Sequence, residues 1–133
     1  MSREGANTNT LLDLVEQFHG DRPAIVQFRP DEVVSTLSYG QLAANVRGGA
    51  AGLQALGVGS GELVAIWAPN SAEWIIAYFA IIAAGAIVLP LDEQLRADHL
   101  QRALRRLAPT LVFTVENRLA DLCGRFESAA VAN

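Results

Sequence analysis

Apolar positions recur in two rhythms along the chain, and the change between them outlines its elements. Leu11, Leu14, Val15 and Phe18 fall on one face of a helical wheel, so a first helix is predicted over 11–18, capped by Asn9 or Thr10. Gly20-Asp21-Arg22-Pro23 breaks the chain. Ala24 to Phe28 reads as a strand, Arg29-Pro30-Asp31-Glu32 as a turn, and Val33 to Leu37 as a returning strand. Together they predict a small antiparallel hairpin.

Ser38 followed three residues later by Gln41 is a capping-box pattern. The helix it opens carries Leu42, Val46, Ala50, Leu53 and Leu56 at helical spacing. Gly48, Gly49 and Gly52 each weaken it by up to about 1 kcal/mol relative to alanine, which suits a place where another backbone comes close. Gly57, Gly59 and Gly61 end the helix and turn the chain. Leu63 to Ala68 is a continuous apolar run, as in a strand buried on both faces. Asn70 or Ser71 caps the next helix, with Glu73 in its first turn and Gly85 at its far end. Ala86 to Leu89 is the following strand. A helix over about 97–107 presents Leu100, Ala103, Leu104 and Leu107 on its apolar side, and Pro109 stops it. Leu111 to Val115 is a further strand, and a last helix places Leu119, Leu122, Cys123 and Phe126 on one side.

From Leu63 onward, strand and helix alternate three times. That alternation predicts right-handed βαβ units and a mostly parallel α/β sheet with helices on both faces, beside the small N-terminal hairpin. The expected organisation is a flexible stretch over 1–10 and a single α/β subdomain over 11–133.

From Trp74 to Leu91 every residue is apolar, glycine or proline except for the hydroxyl of Tyr78. A membrane span needs a helix of about that whole length. Gly85 divides the run, and its helical part, 74–84, rises only about 16 Å. A buried helix followed by a buried strand is expected instead, with no membrane span.

Composition then narrows the function classes. Hydrophobic residues make up 51% and charged residues 18% of 133, enough to pack one core and too apolar for a disordered tail. The net charge is −4, and all ten cations are arginines. No nucleic-acid partner is expected, because such binding depends on neutralising phosphates. Arg102, Arg105 and Arg106 cluster, and the plain reading of them is a solvated helix face. Cys123 is the sole cysteine, so no disulfide forms within the chain. Met1 to Thr10 has no apolar core of a signal peptide, and the cytoplasm is the default compartment.

Candidate chemistry is sparse. Gly57-Val58-Gly59-Ser60-Gly61 imitates a dinucleotide fingerprint, but it follows a helix and opens a strand, the reverse of that motif. It reads as a connecting loop. No Walker A sequence exists in a chain without lysine. His19 and His99 have no acid or cysteine at metal-ligand spacing that would mark a metal site. Asp92-Glu93 follows a strand's carboxyl end, where α/β sheets bind ligands. Adjacent side chains diverge, so a loop or cap role is expected for them.

Two segments carry a family signature. Leu37-Ser38-Tyr39-Gly40-Gln41-Leu42 resembles the "L-T/S-Y-x-E-L" motif of adenylate-forming enzymes, and Ala84-Gly85-Ala86-Ile87-Val88-Leu89-Pro90-Leu91-Asp92 resembles their "K-A-G-A-x-x-x-P-L/I-D" motif. Between them, Gly57 to Ile66 leads into Pro69-Asn70-Ser71-Ala72-Glu73-Trp74 in the family's order and spacing. The likeness covers about residues 11–115. Members include acyl-CoA synthetases, adenylation domains of peptide synthetases, and luciferases. The resemblance implies joining a carboxylate to AMP with ATP and magnesium, then transfer to a thiol such as coenzyme A. It also implies an N-terminal α/β subdomain of a larger body.

The family's phosphate-binding loop, a Ser/Thr/Gly-rich stretch ending in lysine, has no counterpart in this sequence. Neither do its ribose-binding aspartate, its hinge or its catalytic lysine. No catalytic, cofactor-binding or metal-binding position is therefore carried over. ATP, magnesium and coenzyme A belong to the complete family enzyme, and none is expected on this chain. The chain is expected to be inactive alone, with the rest of the ligase or self-association as its partner. A stand-alone, non-catalytic interaction module is the alternative, and a small independent nucleotide-binding protein is a third possibility.

Overall fold

The structure is a computed structural model that describes Gln17, residues 19–122 and the short strand Ala130–Val131. The helix expected over 11–18 and the side chains of Cys123 and Phe126 lie outside the described residues. The chain runs β1 (Pro23–Arg29), β2 (Glu32–Ser38), α1 (Tyr39–Ala55), β3 (Leu63–Trp67), α2 (Ala72–Ala83), β4 (Ile87–Pro90), α3 (Ala97–Leu107) and β5 (Leu111–Thr114). A single 3-10 turn (Glu116–Arg118), α4 (Leu119–Leu122) and β6 (Ala130–Val131) follow.

β1 and β2 form the expected antiparallel hairpin, with Asp31 in the left-handed region at its tip (φ 68°). The other sheet has the order β4-β3-β5-β6, and all its pairings are parallel. β6 was not foreseen, since two residues are too few to show a rhythm. The fold is the α/β arrangement with an added hairpin that the alternation predicted.

β3 explains why its sequence shows no polar face. Val64 and Ile66 point into a core shared with α1 and α2, through Leu53, Ala77, Ala80 and Ile81. Ala65 and Trp67 point the other way, onto Leu100 and Leu104 of α3 and Leu122. Alternation is present, but both faces are buried, so every position is apolar. Helices thus cover both faces of the sheet.

α1 begins with the complete capping box. The Gln41 amide donates to Ser38 Oγ (3.1 Å) and Gln41 Oε1 accepts from the Ser38 amide (2.9 Å). Of its three interior glycines only Gly49 serves close packing. A Cβ there would lie 2.8 Å from the Ala80 Cβ of α2, whereas Gly48 and Gly52 face open space. The approach is to a side chain, not to the neighbouring backbone.

α3 departs from its expected apolar face. Leu100 and Leu104 are buried, but Ala103 is half-buried and Leu107 is 44% exposed. The sheet beneath α3 is narrow, so it covers only a thin stripe of that helix. Ala108 takes a left-handed conformation (φ 44°) and ends the helix, as the following Pro109 disfavours helical geometry there.

Gly49→Ala and Gly52→Ala should separate in sign. The first drives a methyl into Ala80 and should cost about 1–3 kcal/mol. The second gains helix propensity and should stabilise by up to about 1 kcal/mol. Urea unfolding of the two variants measures both.

Candidate functional site at the carboxyl edge of the sheet

The carboxyl ends of β3 and β5 open beside the start of α2. Ala68-Pro69-Asn70 turns the chain there, and Ser71 caps α2, its Oγ accepting from the Trp74 amide (3.1 Å). Of the two candidate caps, Ser71 takes the role. The Ala72 amide, another donor left free by helix geometry, is taken by Gln27 Oε1 of β1 (2.9 Å). Gln27 is held in turn, its Nε2 donating to Ser35 Oγ across the hairpin (2.8 Å). The hairpin is thereby stapled to the N-terminus of α2. Sequence reasoning missed this link, because a lone glutamine in a strand carries no signal of a partner 45 residues away.

Between β3, β5 and α2 lies a cleft of about 300 Å³, walled by Ile66, Ala68, Trp74, Ala77, Phe113 and Val115. Trp74 stacks on Tyr78 one turn on, with ring centroids 5.4 Å apart. Ser71 and Glu73 stand at the rim. Among the described residues Glu73 is the one ionisable group of the lining, and no cation joins it. Thr114 contributes buried backbone support instead. Its hydroxyl donates to the Trp67 carbonyl (2.8 Å), tying the ends of β3 and β5 together.

On the opposite face, Arg118 lies over the Trp67 ring, 4.8 Å from its centroid. Arg118 also donates to the Glu93 carbonyl and pairs with the Glu93 carboxylate (3.6 Å). Asp92 caps the local turn by accepting from the Gln94 amide (2.9 Å). Asp92 and Glu93 therefore have separate partners and separate loop roles. The Trp67 Nε1–H is buried without an acceptor among the described residues.

The glycine-rich loop lies at the other edge of the sheet, ahead of β3. Gly57 and Gly61 need their positive φ values (84° and 79°) to turn α1 into β3. The Gly59 amide donates to the Glu62 carboxylate (2.7 Å), and the Gly61 amide to the Gly85 carbonyl (3.0 Å). Amides committed to a carboxylate and a carbonyl do not form a phosphate cradle. His19 Nδ1 sits 2.7 Å from the Gln17 carbonyl oxygen, while His99 stands 3.8 Å from Asp98. Among the described residues these histidines join no group of three candidate metal ligands. Arg96 bridges Asp98 (2.9 Å) and holds its carboxyl below the usual value of 3.8.

A family model for AMP-binding enzymes matches residues 13–132. The chain belongs to the AMP-binding enzyme family. It is 29% identical over 126 residues to the mitochondrial medium-chain acyl-CoA ligase ACSF2 of Pongo abelii, which spans 89% of this chain and 20% of that one. Among solved structures, ATP-bound MatB from Rhodopseudomonas palustris is 25% identical with a TM-score of 0.67, over 73% of this chain and 20% of that one. A fatty acid AMP ligase from Legionella pneumophila shares the fold with a TM-score of 0.80 at 20% identity, over 99% of this chain and 24% of that one. The chain thus spans about a fifth of the length of these AMP-binding relatives.

The family binds ATP, and the residues present do not fit its phosphates. Among the described residues the cleft carries a carboxylate and no cation, and the two loop amides described above are already engaged. Phosphoryl and adenylyl chemistry needs donors and cations preorganised around the developing charge. No helix among the described residues is long and apolar enough to cross a membrane.

Two measurements follow from this geometry. Thr114→Val keeps shape but removes the buried donor to Trp67, and should cost about 1 kcal/mol in urea unfolding. Asp98 has a depressed folded pKa, so its contribution is present above the unfolded value and is lost as pH falls through the folded one. Arg96→Ala should move its titration midpoint upward, read by NMR of the carboxyl carbon.

Proposed function

We propose that this chain supplies the N-terminal lobe of an AMP-forming acyl-CoA synthetase and does not activate acids by itself. In that role it belongs to an enzyme that converts a carboxylic or fatty acid to acyl-AMP with ATP and magnesium, then to a thioester with coenzyme A. One observation carries the reading. A chain matched to the family over 13–132 offers, at the carboxyl edge of its sheet, an apolar cleft whose lining among the described residues holds Glu73 and no cation. The lobe contributes architecture, and the groups that handle ATP come from elsewhere in the enzyme.

The surface supports a partner. α2 is apolar nearly all round, with Trp74, Ile75, Tyr78, Phe79 and Ile82 only half-buried. Phe28 and Val33 on the hairpin are 72% and 61% exposed. Apolar groups left this open mark a surface that another polypeptide covers. The remainder of a ligase covers it in the assembled enzyme, and a second copy covers it when the chain is alone.

Incubated with ATP, magnesium and acetate, octanoate or palmitate, the full chain should release pyrophosphate no faster than buffer. Turnover with any of these acids would overturn the reading. In light scattering the chain should be a dimer or larger at micromolar concentration. Replacing Phe28 and Val33 by serine should shift it toward monomer.

A further inference from the structure

α3 carries a feature that the ligase reading leaves unused. A groove of about 440 Å³ runs along its outer side, lined by His99, Arg102, Ala103, Arg106 and Leu107. Arg102 and Arg106 form no ion pair among the described residues. Two of the carboxylates near this helix are otherwise placed, while Asp121 lies beside Gln101 through its backbone carbonyl. Asp98 is bound by Arg96 at the helix start, and Glu93 belongs to Arg118. Among the described residues no acid lines the groove, and Asp98 stands 3.8 Å from His99 at its start.

Helix physics accounts for only part of this. Arg105 and Arg106 lie in the last turn, where cations complement the macrodipole. Arg102 lies before that turn, and it stands four residues from Arg106, a like-charge spacing that destabilises a helix. The protein has a net charge of −4, yet among the described residues no carboxylate pairs with either arginine. Beside the two guanidinium groups, Leu107 is exposed and Ala103 half-buried, so the groove joins positive charge to an apolar floor.

We propose that this groove docks an acidic helical segment of another protein. Its side chains recur at the period of a helix. His99, Arg102 and Arg106 spread over about 10 Å of axis, because each residue rises 1.5 Å. A single phosphate is too small to span this length, whereas carboxylates at matching helical spacing meet the two guanidinium groups in turn. Guanidinium groups favour carboxylates because their planar donors pair with both oxygens. Leu107 and Ala103 give an apolar residue of the partner a place to settle. A bilayer surface is disfavoured, since only two arginines line this face and the chain as a whole is acidic. The docking is independent of ATP chemistry and stands or falls apart from the ligase reading.

Fluorescence anisotropy of the full chain tests it, with a labelled 18-residue helical peptide bearing glutamate at positions i, i+4 and i+7 and a leucine between them. The peptide should bind in 50 mM salt. Arg102→Glu with Arg106→Glu should weaken binding at least about tenfold, while Arg29→Glu on the distant hairpin should leave it unchanged. Arg102→Gln with Arg106→Gln, checked by circular dichroism, should weaken it too and guards against misfolding of the charge-reversed protein. A glutamine-for-glutamate peptide, a scrambled acidic peptide, phosphatidylglycerol vesicles and inorganic pyrophosphate should each bind weakly. Equal binding of the scrambled or glutamine peptide overturns the proposal, as does undiminished binding by both double variants. Vesicle or pyrophosphate binding in place of peptide binding overturns it as well.

Discussion

A helix that is apolar on every side has to be buried on every side, and α2 imposes that demand on the whole molecule. Its twelve residues include one charge, Glu73. Ala77, Ala80 and Ile81 meet the sheet core, and Ala80 also meets α1 at the position where Gly49 has no side chain. Burying a large aliphatic or aromatic side chain is worth about 1.5–3 kcal/mol. The half-buried Trp74, Ile75, Tyr78, Phe79 and Ile82 therefore represent burial that this lobe leaves incomplete. The same helix that organises the fold is the ground for the packing partner proposed above. That agrees with relatives about five times as long.

The elements with strong local grammar were legible in the sequence. The capping box at Ser38 and Gln41, the unbroken apolar run of β3 and the breaking role of Gly85 state their structure within a few residues. What stayed hidden depends on distant partners. Gln27 reaches across to Ala72, and its purpose exists only once the hairpin lies against α2. Ala103 and Leu107 share the helical spacing of Leu100 and Leu104, yet how much of α3 is covered depends on the width of the sheet below. Periodicity gives a direction around a helix axis, and the neighbours decide how wide a stripe they cover.

The site was legible mainly by elimination. The glycine run before β3 invites a nucleotide, and its order relative to helix and strand already argues against one. The structure supplies the physical reason, with Glu62 and Gly85 occupying two of its amides. The apolar cleft beyond β3 and β5 was not legible, because Trp74 and Phe113 look like ordinary core residues until the sheet edge opens between them.

Charge and apolar surface are divided between the two faces of the sheet. The face bearing α1 and α2 ends in the cleft and the half-covered aromatics. The face bearing α3 carries the Trp67–Arg118–Glu93 cluster and the arginine groove. An apolar surface drives burial in any orientation that excludes water, whereas charges select partners and orientation at modest energy. The first suits permanent packing within one enzyme, and the second suits contacts made and broken. Both surfaces rest on β3, whose alternate side chains anchor α2 on one side and α3 on the other. The sheet holds the two helices in fixed relation, so a segment docked at the arginine groove would leave the aromatic face open to the packing proposed for it.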